Sequence, residues 1–172
     1  IDAPFSPYTG SLKALKTALT NADPRHPIKC VGVTSAMPGE GKSTVTANLA
    51  ALYSTSVGRT LIIDADVHRS TLSRHFAPTV QRGLLEVVTG AAEYDRAIKI
   101  GTSLAPDILP IAPTEAPVSY DLLASENMEM LLRRLRDHYD MIIVDLPPVN
   151  PIVDSVAIGA LLIVHIPQPV RT

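Results

Sequence analysis

The sequence predicts an α/β fold in which helices flank a doubly wound, mostly parallel β-sheet. Short apolar runs without polar alternation recur at 29–35, 61–63, 141–144 and 161–164, and continuous apolar strands are typical of parallel sheets covered on both faces. Segments with helical spacing lie between these runs, as in repeated strand–helix–strand units. The 172 residues are expected to form a single domain with one substantial core.

Residues 1–28 are expected to precede the main sheet as an arm and a helix, and residues 29–165 to form the core. The first nine residues contain Pro4 and Pro7, which predict irregular structure over 1–9. Three leucines then recur at helical spacing: Leu12, Leu15 and Leu19. Their pattern predicts an amphipathic helix.

A glycine-containing loop joins the first apolar run to a helix predicted over 43–54. The loop covers residues 36–44 and ends in Gly-Lys-Ser-Thr. A strand, a glycine loop ending in Gly-Lys-Ser and then a helix is the layout of a phosphate-binding P-loop. Gly39 and Gly41 let the backbone turn so that successive N–H groups point at phosphate oxygens. The loop therefore predicts a site for a nucleoside triphosphate.

The residues expected to bind the nucleotide are Met37, Pro38, Gly39, Glu40, Gly41, Lys42, Ser43 and Thr44. Lys42 can reach the β- and γ-phosphates, and the Ser43 hydroxyl can be a ligand of Mg²⁺. The positive end of the following helix adds to the attraction for an anion.

Aspartates end two of the predicted strands. Asp64 and Asp66 follow the second apolar run, and Asp145 follows the third. Ligands of open parallel sheets bind at the carboxyl ends of the strands, where the P-loop also lies. We therefore expect Ser43, Asp64 and Asp145 to hold Mg²⁺ directly or through water, and Asp66 to accept the proton of an attacking hydroxyl. The alternative for any one aspartate is a helix cap or a solvated turn.

The remaining segments have weaker patterns. Glycines bracket a short helix predicted over 83–90. A helix is also predicted over 118–139, with Ser125 as a candidate break. Two short strands are predicted as well, at 97–100 and 108–111.

Composition excludes several classes of protein. The formal net charge of −2 gives no sign of a nucleic-acid surface. Cys30 is the single cysteine, so no disulfide framework is expected and a buried thiol is favoured. No apolar run approaches the roughly 20 residues that span a bilayer, and no signal peptide is expected.

Three motifs resemble those of the bacterial tyrosine kinases, the cytoplasmic ATPase-like domains attached to polysaccharide co-polymerases. The motifs are the P-loop at 34–44 with the helix residues 47–50, an extra Walker A′ element at 61–66, and a Walker B element at 142–149. The resemblance covers about residues 6–165. It implies a P-loop NTPase fold of the Min/Par-like architecture.

The resemblance also implies an activity and a setting. The chain would be a protein-tyrosine autokinase that uses ATP and Mg²⁺ and controls capsule or exopolysaccharide synthesis and export. It would act at the inner face of the cell membrane, with a membrane polysaccharide co-polymerase segment in cis or in trans, and would form homo-oligomers. The catalytic residues implied are Lys42, Asp64, Asp66 and Asp145.

Two other functions stay open at this point. The five tyrosines are scattered rather than clustered near the C-terminus, and the family's Glu-and-two-Arg oligomerisation motif reads Gly10, Lys13 and Lys16. These departures favour a catalytically weak, ATP-binding regulatory module that gates a membrane partner. A partition-type ATPase is disfavoured, because Met37 stands where such proteins usually carry a signature lysine.

Overall fold

The computed structural model describes residues 6–102, 104–114 and 120–149. Within these ranges, four parallel strands form one sheet: β1 Cys30–Val33, β2 Thr60–Asp64, β3 Asp107–Leu109 and β4 Met141–Asp145. The strand order is β1-β4-β2-β3, so the connections cross over as in a doubly wound fold. The predicted α/β class and parallel sheet are confirmed. The strand predicted at 161–164 lies outside the described residues.

The helices of the described part cover both faces of this sheet. Their bounds are α1 Pro7–Asn21, α2 Lys42–Ser54, α3 Thr71–Phe76, α4 Leu84–Val88, α5 Tyr94–Ala97 and α6 Glu126–His138. Helix α2 packs against β1, β2 and β4, and α1 packs against α2. Helix α6 packs against α4 and β4. In the part of the chain that the structure describes, no helix combines the length and the apolar character needed to cross a membrane.

The continuous apolar strands divide their side chains between two cores. Every residue of β2 and of β4 is buried, and successive side chains of a strand point to opposite faces. Leu61 and Ile63 belong to the core that includes residues of α4 and α6. Ile62 and Ile143 belong to the core that includes residues of α2. Burial on both faces explains why these strands lack polar alternation.

The first helix begins earlier than predicted, at Pro7 rather than after an irregular arm over 1–9. Ser6 is the N-cap, and its side chain accepts a hydrogen bond from the Thr9 amide at 3.2 Å. Proline is well suited to the first position of a helix, because no N–H is left there without a partner. Residues 1–5 lie outside the described part.

Two other predictions needed correction in the second half of the chain. Helix α5 ends at Ala97, so the strand predicted at 97–100 is wrong; Lys99 instead makes an antiparallel bridge with Ile108. The helix predicted from residue 118 begins at Glu126. Ser125, the candidate break, is its N-cap and accepts a hydrogen bond from the Met128 amide, because a serine side chain can satisfy an amide of the first turn.

The short elements between residues 70 and 111 are only partly as predicted. Helix α4 confirms the helix bracketed by Gly83 and Gly90. Strand β3 is shorter than the predicted 108–111 and begins one residue earlier. Helix α3 has no counterpart in the prediction, since its six residues are too few to show a helical period.

Gly83 offers a test of the packing between α4 and the segment after β3. A Cβ at this position would overlap the Pro110 carbonyl oxygen and lie 2.7 Å from the Ala112 amide nitrogen. Gly83→Ala should therefore lower the free energy of unfolding, measured in urea, by about 1–3 kcal/mol, the usual cost of overpacking. Gly10→Ala is the control, because no atom lies within 4 Å of its Cβ and alanine favours a helix by about 0.5–1 kcal/mol. Equal effects of the two substitutions would contradict this reasoning.

Candidate functional site

The candidate site lies at the carboxyl end of the sheet, where β1, β4 and β2 end side by side. Val33 and Asp64, the last residues of β1 and β2, are both register partners of Asp145, the last residue of β4. The pairing of β1 and β4 continues past the strands, since the Leu146 amide donates to the Val33 carbonyl at 2.9 Å. The strand ends therefore bring the two acidic motifs next to the P-loop, as ligand sites of open parallel sheets require.

The P-loop has the backbone conformation that its glycines permit. Gly39 and Gly41 have φ values of +88° and +87°, in the left-handed region that favours glycine. Two hydrogen bonds within the loop stabilise this conformation. The Met37 amide donates to the Glu40 carboxylate at 3.0 Å, and Ser35 Oγ donates to the Met37 carbonyl at 2.9 Å. The loop thus turns sharply into the N-terminus of α2, which is the geometry of an anion site.

Lys42 turns its side chain into the protein. It is only 8% exposed, and its Nζ lies 2.7 Å from Asp66 Oδ2 and 3.4 Å from Asp145 Oδ2. Asp66 Oδ2 is buried and accepts no hydrogen bond from the described residues, so its contact with the ammonium is an ion pair without hydrogen-bond geometry. The ammonium therefore links the two acidic motifs.

Asp145 is held by hydroxyl groups of α2. Ser43 Oγ donates to Asp145 Oδ2 at 2.6 Å. Thr46 Oγ1 lies 3.2 Å from Asp145 Oδ1 and 3.0 Å from the Lys42 carbonyl oxygen. Burial raises the pKa of Asp145, and the Ser43 hydrogen bond and the Lys42 charge oppose that rise. Sequence reasoning missed Thr46, although its position four residues after Lys42 places both on the same face of the helix.

Asp64 is held by α3. The Ser73 amide and the Ser73 hydroxyl both donate to Asp64 Oδ2, at 2.8 Å and 2.7 Å, and the Asp66 amide donates to Oδ1 at 3.2 Å. Burial raises the pKa of Asp64 from its ordinary value of 3.8 to about 6, even though the Ser73 hydrogen bonds act to lower it. The charge of Asp145 adds to the rise. Sequence reasoning also missed Ser73, because α3 was not predicted.

The buried charges of the site do not balance. Three carboxyl groups and one ammonium are removed from water. Burial, which disfavours the charged form of a carboxyl group, is the main cause of the raised pKa values of Asp64 and Asp145. In the part of the chain described here, no three His, Cys, Asp or Glu side chains could together hold a metal ion. A divalent cation would therefore also need Ser43 Oγ and ligand oxygens. These hard oxygen donors fit Mg²⁺.

The structure brings together the side chains that the sequence singled out: Lys42, Ser43, Asp64, Asp66 and Asp145. Residues 37–44 form the predicted loop and the first turn of α2. Met37 is 51% exposed and lies at the outer side of the loop.

A family whose description is "AAA domain" matches residues 28–170. The chain belongs to this AAA-domain family. The match includes the P-loop and both acidic motifs, which are the parts of this AAA domain that form the site.

Relatives of this AAA domain include named kinases. Tyrosine-protein kinase YwqD of Bacillus subtilis is 32% identical over 159 residues, which are 91% of this chain and 65% of the relative. The succinoglycan biosynthesis transport protein ExoP of Rhizobium meliloti is 34% identical over 163 residues, which are 94% of this chain. The AAA domain spans only 21% of the length of ExoP.

A solved structure extends the comparison to three dimensions. The kinase domain of the Escherichia coli tyrosine kinase ETK is 30% identical, with a TM-score of 0.83 over 94% of this chain and 63% of that chain. Together with the named relatives, this similarity confirms the resemblance to the bacterial tyrosine kinases and the P-loop fold that the resemblance implies.

Asp64→Asn is predicted to flatten the pH dependence of stability. The folded pKa of Asp64, about 6, exceeds the ordinary value of 3.8, so the folded protein binds this proton more tightly than the unfolded chain does. The resulting stability is complete below pH 3.8 and is lost as the pH rises through the folded pKa. Its size is on the order of 3 kcal/mol.

The measurement is the free energy of unfolding in urea from pH 4.5 to pH 7, without nucleotide or Mg²⁺. The difference between wild type and Asp64→Asn should shift in favour of the variant as the pH rises. Parallel curves for the two proteins would show that Asp64 keeps its ordinary pKa in the folded state.

Proposed function

We propose that this AAA domain is a protein-tyrosine kinase domain of bacterial type, which transfers the γ-phosphoryl group of Mg·ATP to tyrosine. The observation that carries the proposal is the convergence of Lys42, Ser43 and two acidic motifs at one end of the sheet. Phosphoryl transfer depends mainly on positioning and on stabilising charge. The relatives named tyrosine-protein kinases support tyrosine as the acceptor.

The P-loop would bind the phosphates of ATP. Backbone amides of residues 39–44 face the phosphate oxygens, and the Lys42 ammonium exchanges its carboxylate contacts for the β- and γ-phosphates. The exchange leaves the buried carboxylates of Asp66 and Asp145 without the ammonium, and bound Mg²⁺ would supply positive charge to the cluster in its place. The further residues that would bind the nucleotide are Met37, Pro38 and Glu40.

Ser43, Asp64 and Asp145 would hold Mg²⁺, which neutralises charge on the phosphates when it is bound. Ser43 Oγ and Asp145 Oδ2 are already 2.6 Å apart. Both oxygens of Asp64 accept hydrogen bonds from the protein, so Asp64 would act through a water ligand, as is common for Mg²⁺.

Asp66 would act as the general base. Its Oδ2 contacts the Lys42 ammonium at 2.7 Å and accepts no hydrogen bond from the described residues, so a lone pair can take a proton once Lys42 has turned to the phosphates. The tyrosine oxygen forms a bond to the γ-phosphorus, the bond from that phosphorus to the bridging oxygen breaks, and ADP leaves. The tyrosine proton passes to Asp66.

The biological setting is part of the same proposal. The domain would regulate capsule or exopolysaccharide synthesis and export at the inner face of the cell membrane, with a membrane polysaccharide co-polymerase segment as its partner, and would self-associate into homo-oligomers. The name and the greater length of the relative ExoP support this setting.

The test is mass spectrometry of the full-length protein after incubation with Mg·ATP. Phosphotyrosine is expected in the wild type and none in Lys42→Met, because the variant lacks the charge that binds the phosphates. ATP binding without any modified tyrosine would contradict the kinase assignment. The domain would then be an ATP-gated regulatory module.

Asp66→Asn tests the general base separately. The rate of tyrosine phosphorylation should fall by about 10²–10⁴, the usual contribution of such a base, while the affinity for Mg·ATP stays close to that of the wild type. Asp23→Asn is the control, because Asp23 lies in the exposed turn after α1 and should leave the rate unchanged. An undiminished rate in Asp66→Asn with normal ATP binding would remove Asp66 from the mechanism.

A further inference from the structure

We propose that Ser73 is a positioning residue, which orients the Asp64 carboxylate towards the Mg²⁺ ion that binds with the nucleotide. The inference rests on the proposed Mg·ATP site. Ser73 acts through Asp64, and its hydroxyl is 2.7 Å from that carboxylate. The residue lies in α3, outside the P-loop and outside both acidic motifs.

The hydrogen bonds of Ser73 restrict Asp64 to one orientation. Ser73 is 2% exposed, and its amide and hydroxyl converge on the same oxygen, Asp64 Oδ2. Two donors on one oxygen fix the rotation of the carboxylate. The other oxygen, Oδ1, accepts the longer bond of 3.2 Å from the Asp66 amide. Oδ1 is therefore the oxygen with capacity for a further partner, such as a water ligand of Mg²⁺.

Ser73 is itself held in place by a third part of the chain. The Ile111 amide donates to Ser73 Oγ at 2.8 Å, which directs the hydroxyl proton of Ser73 towards Asp64. The neighbouring Pro110 carbonyl accepts a hydrogen bond from the Leu84 amide at 2.7 Å. The segment after β3 therefore holds Ser73 in place, and Ser73 holds the Asp64 carboxylate. Helix α4 in turn contacts the segment after β3. Such outer partners of a metal site usually have large effects on metal affinity.

The experiment separates positioning of the metal site from general stability. A fluorescent ATP analogue is titrated into the full-length protein at a series of Mg²⁺ concentrations and in EDTA, and the melting temperature is recorded. Ser73→Ala removes the hydroxyl but keeps the backbone donor. It should raise the Mg²⁺ concentration for half-maximal binding about tenfold and leave the affinity in EDTA unchanged.

Two further variants serve as controls. Ser73→Thr keeps the hydroxyl and should stay well below the roughly tenfold shift expected of Ser73→Ala. Thr60→Val removes a buried hydroxyl at the opposite end of β2 and should change the melting temperature but not the Mg²⁺ requirement. If Ser73→Ala melts too low to assay, Ser73→Cys, whose thiol is a weak donor of similar shape, replaces it with the same expected shift.

The outcomes distinguish this inference from the proposed function. Equal Mg²⁺ requirements in Ser73→Ala and Thr60→Val would overturn the positioning role. The role would also be overturned if Ser73→Ala lost as much affinity for the ATP analogue in EDTA as it loses in Mg²⁺. A wild type whose nucleotide binding does not depend on Mg²⁺ would overturn both the positioning role and the Mg·ATP site. A shift in Mg²⁺ requirement without phosphotyrosine would support the role of Ser73 and contradict only the kinase reaction.

Discussion

The site depends on one buried ammonium among three buried carboxyl groups. Removing an ion from water costs several kcal/mol, so this cluster persists only because the fold supplies partners for each charge. Lys42 pairs with Asp66 and Asp145, and the hydroxyls of Ser43 and Ser73 donate to Asp145 and Asp64. One positive charge is still too few for three carboxylates. Burial raises the pKa values of Asp64 and Asp145, and the excess negative charge makes the site suitable for a divalent cation.

The order of the strands makes this concentration of charge unavoidable. Strand β4 lies between β1 and β2, so Asp145, which ends β4, is adjacent to the P-loop on one side and to the acidic motif that ends β2 on the other. Asp64 and Asp145 are direct register partners on neighbouring strands. Two carboxylates placed side by side repel each other unless a cation lies between them. The arrangement is poor for stability by itself. It is appropriate for binding a ligand that brings its own cation.

The site was more predictable from the sequence than the elements that support it. Lys42 and Ser43 belong to a local motif with fixed spacing, and Asp64 and Asp145 directly follow apolar runs, so both signals lie within a few consecutive residues. Ser73 had no such signal: its helix has six residues, and its role depends on contacts with Asp64 and with Ile111, 38 positions along the chain. The same limit explains the error at 97–100, where the bridge between Lys99 and Ile108 overrides a weak local pattern. The start of α6 is instead set locally by the Ser125 cap.

The most direct test of this account is a crystal structure of the domain with Mg²⁺ and a non-hydrolysable ATP analogue. We expect Lys42 Nζ to leave Asp66 for the phosphate oxygens, and Ser43 Oγ to leave Asp145 and coordinate Mg²⁺. Asp64 should keep its two hydrogen bonds from Ser73 and face a water ligand of the metal. A bound analogue with Lys42 still paired to Asp66, or with the metal remote from Ser43 and Asp145, would contradict the account.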